Sequence, residues 1–96
     1  MFVLITYDVN TEDKAGQRRL RRVAKQCLNY GVRVQNSVFE CNAEPDQIAR
    51  LKATLTEEID LSKDSLRFYY LGTKNKATVE HFGNKETIDV NDTLLF

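Results

Sequence analysis

Asp8 follows the apolar run Phe2 to Tyr7, so it is an acid set where a strand would end. A lone aspartate there serves most often as a turn former or helix cap. In a two-fold assembly built around that strand, two copies would converge, and beside a phosphate they would hold Mg²⁺ with water completing the octahedron. Such an ion polarises a phosphoryl oxygen and activates water. Carboxylates brought together disfavour joint ionisation, so cleavage by such a pair is expected to improve as pH rises.

A second group of residues suits the same polyanion. No acidic residue lies between Lys14 and Phe39, yet that stretch holds Lys14, Arg18, Arg19, Arg21, Arg22, Lys25 and Arg33, seven of the fourteen basic residues. The segment is +7 and the remainder, seven basic against fourteen acidic, is −7, so a net charge of zero hides a segregated surface. Arg18, Arg19, Arg21, Arg22 and Lys25 occupy the arc opposite an apolar helical stripe with no local carboxylate, and guanidinium forks fit phosphate. The alternative is an ordinary solvated basic helix.

Other chemistry is poorly supplied. His81 is the single histidine and has no cysteine beside it, which excludes a zinc site and leaves a structural or exposed role. Cys27 and Cys41 lack metal-ligand spacing and read as reduced thiols packed as small apolar groups. No Gly-rich phosphate loop and no Ser-His-Asp set can be assembled. Tyr7, Phe68, Tyr69 and Tyr70 offer stacking surfaces for bases, but the Arg/Lys-Gly-aromatic spacing of sheet-based RNA readers is missing, so a core or interface role is expected.

The elements that must position these groups follow from periodicity. Residues 2 to 7 form an apolar strand. Residues 14 to 30 form a helix whose stripe is Leu20, Val23, Ala24, Cys27 and Leu28, with Gly31 placed for a left-handed cap. Residues 32 to 41 read as one strand, with Val32, Val34 and Val38 on one side and Arg33, Gln35, Ser37 and Phe39 on the other. Pro45 opens a second helix, 45 to 58, striped by Ile48, Leu51, Leu55 and Ile59. Strands are expected at 65 to 71 and 78 to 82. The sum, about 80 residues, indicates an α+β, ferredoxin-like β-α-β-β-α-β arrangement with helices on one face of an antiparallel sheet. The whole chain, 1 to 96, reads as a single domain with its core at about 1 to 82 and a contact tail or added strand at about 83 to 96.

Two strands are apolar on both sides: Phe2 and Leu4 oppose Val3, Ile5 and Tyr7, and Leu66, Phe68 and Tyr70 oppose Tyr69 and Leu71. A sheet covered once should alternate apolar with polar. The second face therefore needs cover, most simply from another copy across a two-fold axis, and the ending Leu94-Leu95-Phe96 is expected to dock. At 96 residues, with 42% hydrophobic and 29% charged, the chain has the composition of a small soluble domain. It has no apolar run of membrane-spanning length and no signal-peptide pattern, so a cytoplasmic location without membrane contact is expected.

Tyr7-Asp8 closing an apolar strand, the arginine helix Arg18 to Lys25, Tyr30-Gly31, and Gly31, Gln35, Ser37, Val38, Phe39 and Glu40 in a Gly…Gln-x-Ser-Val-Phe-Glu pattern resemble the small CRISPR-associated proteins that partner the integrase in spacer acquisition. The match is close over the first 40 residues and rests on length and strand order beyond them. The resemblance implies a ferredoxin-like homodimer that bridges the CRISPR integrase and holds duplex DNA. It also implies metal-dependent endonuclease activity on DNA or RNA, with Mg²⁺ or Mn²⁺ as the ion. It makes Asp8 the catalytic and metal-binding residue, and places Tyr7 and Phe39 near the site. Arg18, Arg19, Arg22, Lys25 and Arg33 become the nucleic-acid contacts, the paired arginines leaving the helix register ambiguous. A non-catalytic scaffold and a toxin-like ribonuclease of the same fold are the alternatives.

Overall fold

The computed structural model describes residues 1–71 and 78–84. The elements run β1 (Phe2–Asp8), α1 (Lys14–Leu28), β2 (Gly31–Gln35), β3 (Val38–Asn42), α2 (Pro45–Glu58), β4 (Ser65–Tyr70) and β5 (Thr78–Gly83). All pairings are antiparallel and the sheet order is β2-β3-β1-β4-β5.

The run 32 to 41, expected as one strand, is two strands that turn back at Asn36-Ser37. This hairpin supplies the adjacent strand pair that the β-α-β-β-α-β order requires. Its consequence is that Thr78–Gly83, expected as the fourth strand, is a fifth one added beside β4. A register shift between Arg33 and Gln35 sets Gln35 opposite Val38, so Gln35 shares a face with Val38 and not with Phe39. The tail beyond residue 84, with its expected docking strand, lies outside the described residues.

Both helices start on side-chain caps. Asp13 accepts a hydrogen bond from the Gly16 amide at 2.8 Å, and Glu44 and Gln47 form a reciprocal capping box in front of Pro45. Helix α1 stops earlier than expected, capped at Asn29. Gly31 has no left-handed conformation; it begins β2, where a Cβ would stand 2.3 Å from the Glu40 carbonyl oxygen. Glycine is needed there for close strand approach, not for helix capping.

The core lies between the helices and one sheet face. Val23 and Cys27 of α1 and Ile48, Leu51 and Leu55 of α2 pack on Val3, Ile5, Tyr7, Phe39, Cys41, Leu66 and Phe68. Leu20 and Ala24 are half-buried at its edge, whereas Leu28, expected in the stripe, is exposed. Both cysteines are free thiols inside this core, as expected. Burial pushes the Cys27 thiol up to about 12, with Cys41 adding to the shift.

No described helix lies on the other sheet face. Phe2, Leu4, Thr6, Val34, Gln35, Val38, Glu40 and Leu71 line a shallow groove of about 430 Å³ across it. Phe2, Val32, Val34 and Leu71 are exposed there, while Leu4, Arg67 and Tyr69 on the same face are buried, so the doubled apolar pattern is genuine and this face is open along β2, β3 and the start of β1 but not beside β4.

Candidate cleavage site and nucleic-acid interface

Strand alternation decides where Asp8 looks. Tyr7 pairs with Leu66 on the helix side, and Asp8 pairs with Ser65 on the uncovered side. The Asp8 side chain is exposed in a small polar recess of about 210 Å³, shared with Asn10, Lys63, Ser65 and Asn84. Among the described residues it enters no ion pair. The β2–β3 turn stands at the same end of the sheet, because the Tyr7 amide donates to the Ser37 carbonyl at 3.1 Å. Pairing of β1 with β3 thus carries the Asn36-Ser37 dipeptide beside Asp8.

Tyr7 and Phe39 are chain or strand neighbours of this recess but face away from it. Tyr7 is buried, its ring stacks on Phe39 at 6.0 Å, and its hydroxyl donates to the Asn36 carbonyl at 3.3 Å. The Arg33 guanidinium covers the Phe39 ring at 5.2 Å. Burial raises the Tyr7 phenol above its ordinary value, and the Cys27 thiol acts in the same direction against the lowering effect of Arg33. Tyr7, Arg33 and Phe39 are therefore one cluster on the helix side of the sheet, where they support the hairpin turn.

The helix cations divide into two sets. At roughly 100° per residue, Lys14, Arg18, Arg21 and Lys25 fall within roughly 60° of arc, opposite Gly16, Val23 and Cys27. All four are exposed, and Lys14, Gln17, Arg18 and Arg21 line a surface groove of about 250 Å³. Arg22 flanks this stripe and is also exposed. Arg19 departs from expectation. Its Nε donates to Asp64 Oδ2 at 2.8 Å and its Nη2 to Oδ1 at 3.3 Å, so this arginine, which has no local carboxylate, is paired with a distant one. Asp64 raises the Arg19 pKa above its ordinary value. The partner lies 45 residues away in sequence, beyond the reach of any local pattern.

The structure does not bring the helix cations to Asp8. The cation that shares the Asp8 recess is Lys63, from the turn between α2 and β4, which no spacing marks in the sequence. Arg21 and Lys14, by contrast, were legible through their helical spacing with Arg18 and Lys25. His81 is structural: Arg67 Nε donates to its Nδ1 at 2.9 Å, and its Nε2 lies 3.0 Å from the Asn84 carbonyl oxygen.

Each described chain offers Mg²⁺ one carboxylate, and no group of three potential metal ligands occurs among the described residues. That fits an ion of modest protein ligation, held by one carboxylate from each of two copies with water and phosphate oxygens, and does not fit a resident cage. The described lining offers carboxylate, hydroxyl and amide oxygens and no thiol or imidazole, which suits Mg²⁺ or Mn²⁺ better than a soft metal.

Comparison with known proteins agrees with this architecture. Residues 1–79 match the family model described as CRISPR associated protein Cas2. The chain is 58% identical over 95 residues to a CRISPR-associated endoribonuclease Cas2 of Chlorobaculum tepidum, covering 99% of both chains. It is 57% identical over its whole length to all of a CRISPR-associated endonuclease Cas2 of Halalkalibacterium halodurans. The crystal structure of Streptococcus pyogenes Cas2 at pH 6.5 superposes with a TM-score of 0.70 at 60% identity, covering 75% of this chain and 87% of that one.

Proposed function

The chain belongs to the CRISPR-associated Cas2 family, and from that premise we propose that it is a dimeric, Mg²⁺-dependent endonuclease of spacer acquisition. Its substrate is a nucleic-acid phosphodiester, duplex DNA being the form a paired basic stripe fits, with RNA as the alternative. The observation that carries the reading is an exposed carboxylate, without an ion pair among the described residues, at the end of the central strand and on the sheet face that no described helix covers.

A second copy seated on that face would bury Phe2, Val34 and Leu71 and bring the two Asp8 recesses into one assembly. The two Asp8 carboxylates would then hold the ion, which when bound polarises the phosphoryl group and lowers the pKa of its water. The rest falls to the chain. Lys63 gives the recess a positive charge for a phosphate oxygen, and the Ser65 hydroxyl and the Asn10 and Asn84 amides are polar groups for the sugar-phosphate backbone. Lys14, Arg18, Arg21, Arg22 and Lys25 hold the flanking duplex by charge and carry no sequence information.

Separation of the basic stripe from the recess favours a second reading: gripping DNA and cutting it are independent, so the same dimer serves as a scaffold between integrase dimers. An Asp8→Ala protein tests the proposal. Loss of cleavage with duplex affinity unchanged supports the nuclease, and unchanged cleavage would remove Asp8 from the chemistry. No described helix is long and apolar enough to cross a membrane, and action on nucleic acid would place the protein in the cytoplasm.

A further inference from the structure

Asp64 is fully buried, yet its carboxylate accepts four hydrogen bonds. Its Oδ1 accepts from the Asn10 amide at 3.0 Å and from Arg19 Nη2 at 3.3 Å. Its Oδ2 accepts from Arg19 Nε at 2.8 Å and from the Asp60 amide at 2.9 Å. These donors fill the acceptor capacity of a carboxylate. The Asp64 main chain is equally committed. Its carbonyl accepts from the Asn84 amide at 2.9 Å, and its amide donates to the Asp60 carbonyl at 2.7 Å.

Set beside the recess, this pattern is specific. Every described recess residue other than Asp8 is tied to Asp64: Asn10 through the carboxylate, Asn84 through the carbonyl, Lys63 and Ser65 as chain neighbours. Asp8 itself is bracketed by its pairing with Ser65 on one side and by the anchored Asn10 two residues further on. Gly83 completes the contact. At φ 96° it takes a conformation open to glycine, and a Cβ there would stand 2.1 Å from the Asp64 carbonyl oxygen. An apolar side chain here would leave the Arg19 guanidinium and the Asn10 and Asp60 amides without their acceptor, so the buried carboxylate holds three separate segments in one arrangement.

We infer that Asp64 is the positioning residue of the Asp8 recess and that Arg19 acts through Asp64 and not on the nucleic acid. This rests on the Asp8 reading above, and the test separates the two. Asp64→Asn keeps the size but puts an NH₂ where a donor now points. Arg19→Lys keeps the charge and loses the fork, and it stands in if the first variant melts. With Mn²⁺ as the added metal, paramagnetic broadening of the Asp8, Asn10 and Ser65 amide signals reports loading independently of turnover.

The expected result in folded variants is a Mn²⁺ midpoint raised about 10-fold or more and cleavage at saturating duplex reduced by about 10- to 100-fold. Faster hydrogen exchange is expected at the Asn10 amide, with the salt slope of duplex binding unchanged. A merely structural role would lower cleavage only in proportion to the unfolded fraction and leave the Mn²⁺ midpoint in place, which overturns the inference. A salt slope lowered by about one unit per Arg19 would also overturn it, by making Arg19 a phosphate contact. Absence of broadening near Asp8 in the unaltered protein would instead refute the metal reading. Asp64 would then be judged by Asn10 exchange and the salt slope, unchanged exchange in the variant overturning its role.

Discussion

Changing Arg18, Arg21 and Lys25 together to glutamine removes the centre of the exposed stripe of α1 without touching the core. With three cations per protomer, a dimer gripping one duplex loses about six phosphate contacts. Each neutralised phosphate contributes about 0.9 to the slope of log affinity against log salt, so the slope should become shallower by about 5. Between 50 and 200 mM salt, the unaltered protein should therefore lose roughly a thousandfold more affinity than the variant. Fluorescence anisotropy of a labelled duplex across that salt range measures both slopes. Stability supplies the control, because like charges such as Arg18–Arg22 and Arg21–Lys25 repel at i, i+4, and the melting temperature should hold or rise. A slope changed by less than one unit, with the fold intact, would refute the assignment of this stripe to phosphate.

Val34→Asp with Leu71→Asp places charges on exposed positions of the uncovered face, so the chain should fold and sedimentation should show a single copy at micromolar concentration; a dimer of unchanged affinity would move the interface elsewhere. The buried Cys27 thiol, held protonated to about 12, makes stability pH-dependent. The unfolded thiol ionises near its ordinary 9.0, so the contribution is complete below that pH and is lost as pH rises toward 12, at about 1.4 kcal/mol per unit. Urea titrations between pH 9 and 11 should show a shallower alkaline decline for Cys27→Ala than for the unaltered chain, and parallel declines would contradict the burial argument. Within the core, Leu51→Ala should cost about 2–5 kcal/mol by urea titration, and a loss below 1 kcal/mol would show the site collapsing around the smaller side chain.

What could be read in advance followed from local physics. Helix α2 was legible to its ends because Pro45 fixes its start and Ile48, Leu51, Leu55 and Ile59 mark one face. Asp8 was legible as a strand-end acid, and the doubled apolar pattern of β1 and β4 announced an uncovered face. The hairpin is hidden in the sequence because Val32, Val34 and Val38 keep one parity across the turn and no Gly or Pro marks it; the polar Asn36-Ser37 is the turn signal, and tertiary pairing with β1 makes it decisive. Lys63, and the Arg19–Asp64 pair, were not legible at all. Each depends on β4 lying beside β1, a contact between segments more than fifty residues apart.

A mixed dimer with one intact protomer and one Asp8→Asn protomer, isolated through two different tags and assayed on duplex DNA with Mg²⁺, bears on the shared carboxylate site directly. If both carboxylates serve one ion, the mixed dimer should cleave at close to the background of the doubly substituted protein. Cleavage at about half the rate of the unaltered dimer would mean two independent centres, and the paired-carboxylate account would fail.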